Sequence, residues 1–187
     1  MIRPYLDSCV VIDMMKFENK ISLEHEKAEL AERNLRNLKR LKGAYKITLP
    51  AVALGEVINH IKEKIPAKKK TDCLNWLWNF LNEYNVDILP IHYDVYRFAY
   101  QYNNNCVFSV AKEIASRENK DPNESYSGKT LDGNDALILA QAILDECDMA
   151  IILTVDSRMS EATTPHDIIE EMGMCKKLRI VNDLSEI

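Results

Sequence analysis

Apolar and polar positions follow two rhythms along this chain. Residues 2–6 form a short, mostly apolar run that stops at Asp7, and residues 8–12 continue as the first turns of a helix. From 22 to 42 charge dominates, yet Leu30, Ala31, Leu35, Leu38 and Leu41 recur at helical spacing, and Gly43 stands where such a helix would be capped. Residues 45–49 suit a strand. Pro50 fits the first position of a helix over 51–65, with Leu54, Val57, Ile58, Ile61 and Ile65 as its apolar stripe. A helix is expected at 71–84 on Cys73, Leu77, Phe80, Leu81 and Tyr84, then a strand at 86–91 and a helix over 93–117, broken at the asparagines 103–105. Turn residues fill 118–129. A helix over 133–146 follows, apolar nearly all round and therefore central, and then a buried strand at 149–155. Thr164 and Pro165 open a last helix, Gly173 closes it, and 178–181 form a final strand.

Strands separated by helices in this order predict an α/β fold, three-layered α/β/α, with a central, mostly parallel sheet. The length of 187 residues argues for one domain, and 47% apolar with 28% charged residues describes an ordinary globular chain. No apolar run is long enough to span a membrane, and Asp7 interrupts the start before a secretory core can form. Five widely spaced cysteines, an odd number without a C-x-x-C pair, read as reduced thiols in a cytoplasmic protein. The formal charge of -5 does not advertise a nucleic-acid binder, so the placement of the acids decides what the charge means.

Ligands of parallel sheets collect at the carboxyl ends of the strands. Asp7 and Asp156 both lie where a strand hands over to the next segment. Asp135 sits in the first turn of the central helix, and Glu56 just over one turn into the helix that follows the second strand. Each has an ordinary use: Asp7 as a helix cap, Asp132 with Asp135 as an approximate capping box, Asp156 in a turn, Glu56 on a solvated face. Capping does not foretell that acids from four distant segments should converge. Two carboxylates ~5 Å apart repel by roughly 3 kcal/mol at an effective dielectric of ~20. Four in one pocket would therefore rival the roughly 5 to 15 kcal/mol stability of a whole domain. Convergence thus demands protons or a counter-charge, and oxygen donors without His or Cys select Mg²⁺ or Mn²⁺.

The stretches that carry these acids, Tyr5-Leu6-Asp7-Ser8, Leu49-Pro50-Ala51-Val52-Ala53-Leu54-Gly55-Glu56-Val57, Asp135-Ala136-Leu137-Ile138-Leu139-Ala140-Gln141-Ala142 and Leu153-Thr154-Val155-Asp156, resemble in order the motifs of the PIN-domain nucleases. The resemblance covers most of the chain, from Met1 to Val181. It implies a single PIN-like domain over 1–187, with a charged helical insertion at about 19–43 and a loop at about 118–131. It further implies hydrolysis of RNA by a Mg²⁺- or Mn²⁺-activated water, with Asp7, Glu56, Asp135 and Asp156 as metal-binding and catalytic acids. Thr154 would orient the site, Ser8 would hydrogen-bond a ligand, and Asp132 would be a fifth acid or the cap of its helix. Implied partners are an RNA substrate and an antitoxin or RNA-processing protein. The chain is longer than the compact toxin-like members, and 157–160 lack the aromatic residue often found there.

An acidic pocket repels RNA, so capture falls to basic residues, of which Lys62, Lys64, Lys68, Lys69 and Lys70 are the densest set. Trp76, Phe80 and Tyr84 repeat at the spacing of a buried stripe and are assigned to packing. The four histidines form no ligand pair; only His60, one turn after Glu56, is placed to matter. The amphipathic helices are consistent with a homodimer. Two other readings stay open: a non-catalytic PIN-like RNA- or protein-binding module in a toxin-antitoxin or RNA-processing assembly, and, ranked last, a phosphatase or phospho-receiver. The second would want another acid two residues after Asp7, where Cys9 stands.

Overall fold

Residues 2–6 form the central strand because the chain surrounds them on both sides. β1 (Ile2–Leu6) pairs in parallel with β2 (Thr48–Pro50) and with β4 (Met149–Leu153). The computed structural model describes residues 1–95, 97, 99, 133–156, 159 and 177–186. With β3 (Asp87–Leu89) beyond β2 and β5 (Lys177–Val181) beyond β4, the sheet is all parallel in the order β3-β2-β1-β4-β5. The chain fills one half of the sheet outward from β1 and then returns to fill the other half. The carboxyl ends of β1 and β4 therefore flank the point where the strand order reverses, the crevice in which parallel sheets bind ligands.

Helices α1 (Ser8–Glu18), α2 (His25–Leu41), α3 (Ala51–Lys64), α4 (Ala67–Glu83) and α5 (Gly133–Leu144) flank the sheet. Asp145, just past α5, meets Arg3 and Tyr5, alternate residues of β1, so α5 covers the sheet face to which those two point. Arg3 Nη1 lies 2.8 Å from both carboxylate oxygens of Asp145, and the Tyr5 hydroxyl donates to one of them. As its composition requires, α5 is buried along most of its length, with Ala136, Ile138, Leu139, Ala140, Ala142 and Ile143 in the core beside Ile152 and Leu153. The charged helix α2 is tied to the end of the chain. Asn34 donates to the Asn182 carbonyl and accepts from Leu184 N–H, while Arg33 Nε lies 2.8 Å from Asp183.

Several boundaries differ from the pattern of the sequence, each for a local reason. Pro50 closes β2, opposite Leu89, and precedes α3 as its cap instead of occupying its first position; its extended ψ of 141° suits a strand. Helix α4 starts at Ala67, four residues earlier than expected, because its first turn is lysine-rich and carries no apolar stripe. Helix α2 ends at Leu41, and Gly43 follows at φ +86°, a conformation that a side chain would strain. Of the helix expected over 93–117, residues 93–95, 97 and 99 are helical. The break at 103–105, the loop at about 118–131, Asp132 and the helix between 164 and 173 lie outside the described residues. No helix among the described residues is long and apolar enough to cross a membrane.

Candidate functional site

Asp7 caps α1, its carboxylate accepting from Ser8 N–H at 2.6 Å, as expected of an acid between a strand and a helix. The pairing of Leu6 with Leu153 then sets Asp7 beside Thr154, which extends the ladder one step by donating its N–H to the Val181 carbonyl at 2.9 Å. Both side chains are nearly inaccessible, Asp7 at 3% and Thr154 at 0%. The Thr154 hydroxyl donates to the second Asp7 oxygen at 2.6 Å and accepts from the Asp156 N–H at 3.0 Å. One hydroxyl thus links the end of β1 to the turn that carries Asp156.

Cys9 completes this cluster, a role the sequence reading did not assign. Its Sγ lies 2.9 Å from the Asp7 oxygen that Thr154 also meets and 3.5 Å from the Thr154 hydroxyl, and it accepts from Val155 N–H at 3.4 Å. The signal was present in its spacing, because a residue two after a capping acid lies in the first helical turn, at the same sheet edge. Burial, and then the Asp7 carboxylate, push the Cys9 thiol well above the usual range, so it stays protonated and donates.

On the opposite flank Glu56 and Asp135 arrive on α3 and α5. Helix α5 precedes β4, so its N-terminus lies at the carboxyl edge, where Asn134 donates to Glu56 Oε1 at 2.7 Å. Asn134 is the second residue that sequence reasoning missed; its clue was an amide beside Asp135 in a helix's first turn. Asp135 is buried at 8% exposure, while Glu56 and Asp156 are half-buried. The structure therefore brings Asp7, Ser8, Thr154 and the Asp156 backbone into direct contact, and joins Glu56 to the neighbour of Asp135. Among the described residues no three His, Cys, Asp or Glu side chains stand close enough together to hold a metal ion.

The five lysines lie away from these contacts. Lys62 and Lys64 end α3, Lys68, Lys69 and Lys70 begin α4, and the Lys70 amine donates to the Lys62 carbonyl. Lys62 is ~9 Å along the helix axis from Glu56. His60, also on α3, is half-buried, and its Nε2 is buried without a hydrogen-bond partner. Burial, with Lys16 and Lys64 nearby, holds it below the ordinary imidazole range, so it adds no positive charge near neutrality. Cys73 is buried, and Cys9 and Cys147 are partly buried.

Alkaline solution is expected to weaken the fold through Cys9 and Tyr5. Burial, followed by hydrogen bonding to Asp145, raises the Tyr5 phenol, and burial pushes Tyr84 up to about 12. A raised pKa favours the neutral form in the folded chain, so each contribution is complete below the unfolded value, about 8.5 for Cys and about 10 for Tyr. It is then lost as pH rises towards the folded value, at a slope of roughly 1.4 kcal/mol per pH unit for each group. Thermal melts should show stability falling above about pH 9. Cys9→Ser should flatten the onset; an unchanged onset would show that Cys9 ionises freely.

No family model matches the chain, and no curated protein matches it in sequence. Solved structures do. VapBC2 from Rickettsia felis, bound to a DNA fragment from their promoter, is similar at a TM-score of 0.51 and 15% identity, over 96% of this chain and 98% of that one. FitAcB from Neisseria gonorrhoeae aligns at a TM-score of 0.48 and 16% identity, over 97% of each chain. At 15% identity the VapBC2 likeness is one of fold, and the fold is PIN-like: five parallel strands flanked by helices, as the sequence resemblance implied.

Proposed function

We propose that this protein is a metal-dependent ribonuclease that hydrolyses RNA phosphodiester bonds at the carboxyl edge of its sheet. Asp7 carries the reading. It is a carboxylate at 3% exposure, beside the point where the strand order reverses, and its partners are the neutral donors of Ser8, Cys9 and Thr154. Among the described residues no Lys, Arg or His forms an ion pair with it. Three neutral donors offset part of the cost of burying this carboxylate but bring no opposite charge. A site of this kind calls for a cation.

The chemistry of the donors, oxygen alone, suits a hard one. Asp7, Asp135 and Asp156, drawn closer together than they stand here, would hold Mg²⁺ or Mn²⁺, with Glu56 as an added ligand or as the group that positions water. A divalent cation there would neutralise phosphate charge and acidify water. The chain's own contribution is orientation. Thr154 and Ser8 fix the Asp7 carboxylate, Asn134 fixes Glu56, and the Asp156 backbone is anchored on Thr154. Ser8 and Asp132 are assigned to supporting roles, and the lysines of the α3–α4 turn to capture of the RNA. The fold shared with VapBC2 supports extending this reading to a toxin-antitoxin setting, with an antitoxin as protein partner and the cytoplasm as the place of action.

Purified protein incubated with a pool of RNAs should cleave them with Mg²⁺ or Mn²⁺ and not with excess chelator. Asp156→Asn should reduce cleavage at least ~10-fold, as expected for loss of a metal-site contact. Cleavage that persists in chelator would overturn the reading. The spacing of the described acids, with no three close enough to share a metal, favours a second reading as a non-catalytic PIN-like binding module. Titration with Mn²⁺ separates the two, because such a module would leave the ion in solution.

A further inference from the structure

Helix α4 has an outer face unlike that of its neighbours. Lys68, Thr71, Asn75, Trp78 and Asn82 recur at spacings of three and four and are all exposed, so they form one continuous stripe. Trp78 is 48% exposed, one of three large hydrophobic side chains so exposed among the described residues. The other aromatics of α4 point elsewhere. Trp76 stacks on Phe80 at 5.0 Å between ring centroids, and Phe80 meets Tyr84 at 5.0 Å, with Phe80 and Tyr84 buried in the core. Packing therefore explains three of the four rings and leaves Trp78 without an internal role.

The stripe begins at the lysine-rich turn. Lys62, Lys64 and Lys68 are exposed there, Lys69 and Lys70 are half-buried, and only Glu63 and Asp72 oppose these five cations locally. A basic stretch of this kind in a chain of net charge -5 is a local inversion of sign. Lys68 and Trp78 are ~15 Å apart along the helix axis. That span accommodates a few nucleotides of single strand, and Asn75 and Asn82 place amides between and beyond them.

We infer that this face of α4, together with the lysines of the α3–α4 turn, is a landing surface for single-stranded RNA on which Trp78 stacks against a base while the lysines meet neighbouring phosphates. The inference rests on RNA being the substrate. It explains how an acidic protein holds a polyanion: attraction is concentrated on a surface separate from the carboxylates. A stacked aromatic accepts any base, and lysine contacts read no sequence, so this surface contributes affinity without sequence choice.

The test uses the full chain carrying Asp7→Asn, in chelator, with a fluorescent oligouridylate of about 12 nucleotides, within the range that single-strand surfaces occupy. Binding should quench tryptophan emission and weaken with salt at a log–log slope of about −2, for three phosphates engaged. Trp78→Ala should weaken binding roughly 5- to 150-fold. Its melting point should hold within about 2 °C, since truncating an exposed side chain changes stability little. Trp78→Tyr should restore most of the affinity. Unchanged affinity in Trp78→Ala, no binding by the parent chain, or a dimer in sedimentation that Trp78→Ala dissociates would each overturn the inference. Metal-dependent cleavage by Trp78→Ala at undiminished affinity would remove this surface and leave the ribonuclease reading standing. Trp78-dependent binding by a native chain that never cleaves would do the reverse.

Discussion

Asp7→Asn should abolish RNA cleavage, by on the order of a thousandfold or more, while the protein melts at the same temperature as the parent or slightly above it. The two halves of this expectation share one cause. Asp7 is buried at the meeting of β1 and β4, where its partners are neutral donors that an amide can largely satisfy, while its negative charge is what a cation would need. Asparagine keeps the shape and one carbonyl oxygen for the Ser8 N–H, and the Thr154 hydroxyl can turn to accept from the new amide. The hydrogen-bond loss is then confined to the Cys9 thiol and should be within about 1 kcal/mol. A cleavage assay run beside a thermal melt checks both halves. Undiminished cleavage by folded Asp7→Asn would remove Asp7 from the chemistry, and loss of the fold would make its carboxylate structural.

Asp145→Ala should have the largest effect on stability of any single polar change in the described structure, about 3 to 5 kcal/mol. The side chains of Arg3 and Asp145 are 11% and 12% exposed, and the Tyr5 hydroxyl shares the same carboxylate. Removing Asp145 leaves a guanidinium charge in the sheet without its anion, and its Nε already lacks a hydrogen-bond partner. For a domain of this size the melting temperature should fall by roughly 6 to 20 °C. The double replacement Arg3→Met with Asp145→Leu removes both charges together and should recover most of the loss. Urea titration of the single and double variants measures this. Additive losses would mean that the pair does not interact.

These two sites differ in how far the sequence alone discloses them. The strand-end acids could be read because hydrophobic runs announce where strands stop, and Asp7 and Asp156 follow such runs directly. The same patterning placed α5 at the centre, since past its first turn only Gln141 is polar. The Arg3, Tyr5 and Asp145 cluster could not be read. Arg3 sits in a short strand where a charge looks like a surface residue, and its partner comes from more than 140 positions away. Cys9 and Asn134 were hidden for a related reason. Each is unremarkable in its own segment and gains a role only from a neighbour on another element, Thr154 for Cys9 and Glu56 for Asn134. Helix α4 shows the opposite limit. Its aromatic repeat correctly signalled packing, but the periodicity gave no reason to separate Trp78 from the rings beside it.

The strand order also has a consequence for the birth of the molecule. β1 leaves the ribosome before the strands it pairs with, and one of its two partners, β4, follows more than 140 residues later. Until then half of the central strand's backbone has nothing to pair with, and closing so long a loop is slow. The carboxylate of Asp7 and the hydroxyl of Thr154 meet only when that closure happens. A chain that stops short of β4 therefore cannot display the assembled acid edge, and whatever chemistry resides there is withheld until β4 and Thr154 have been made.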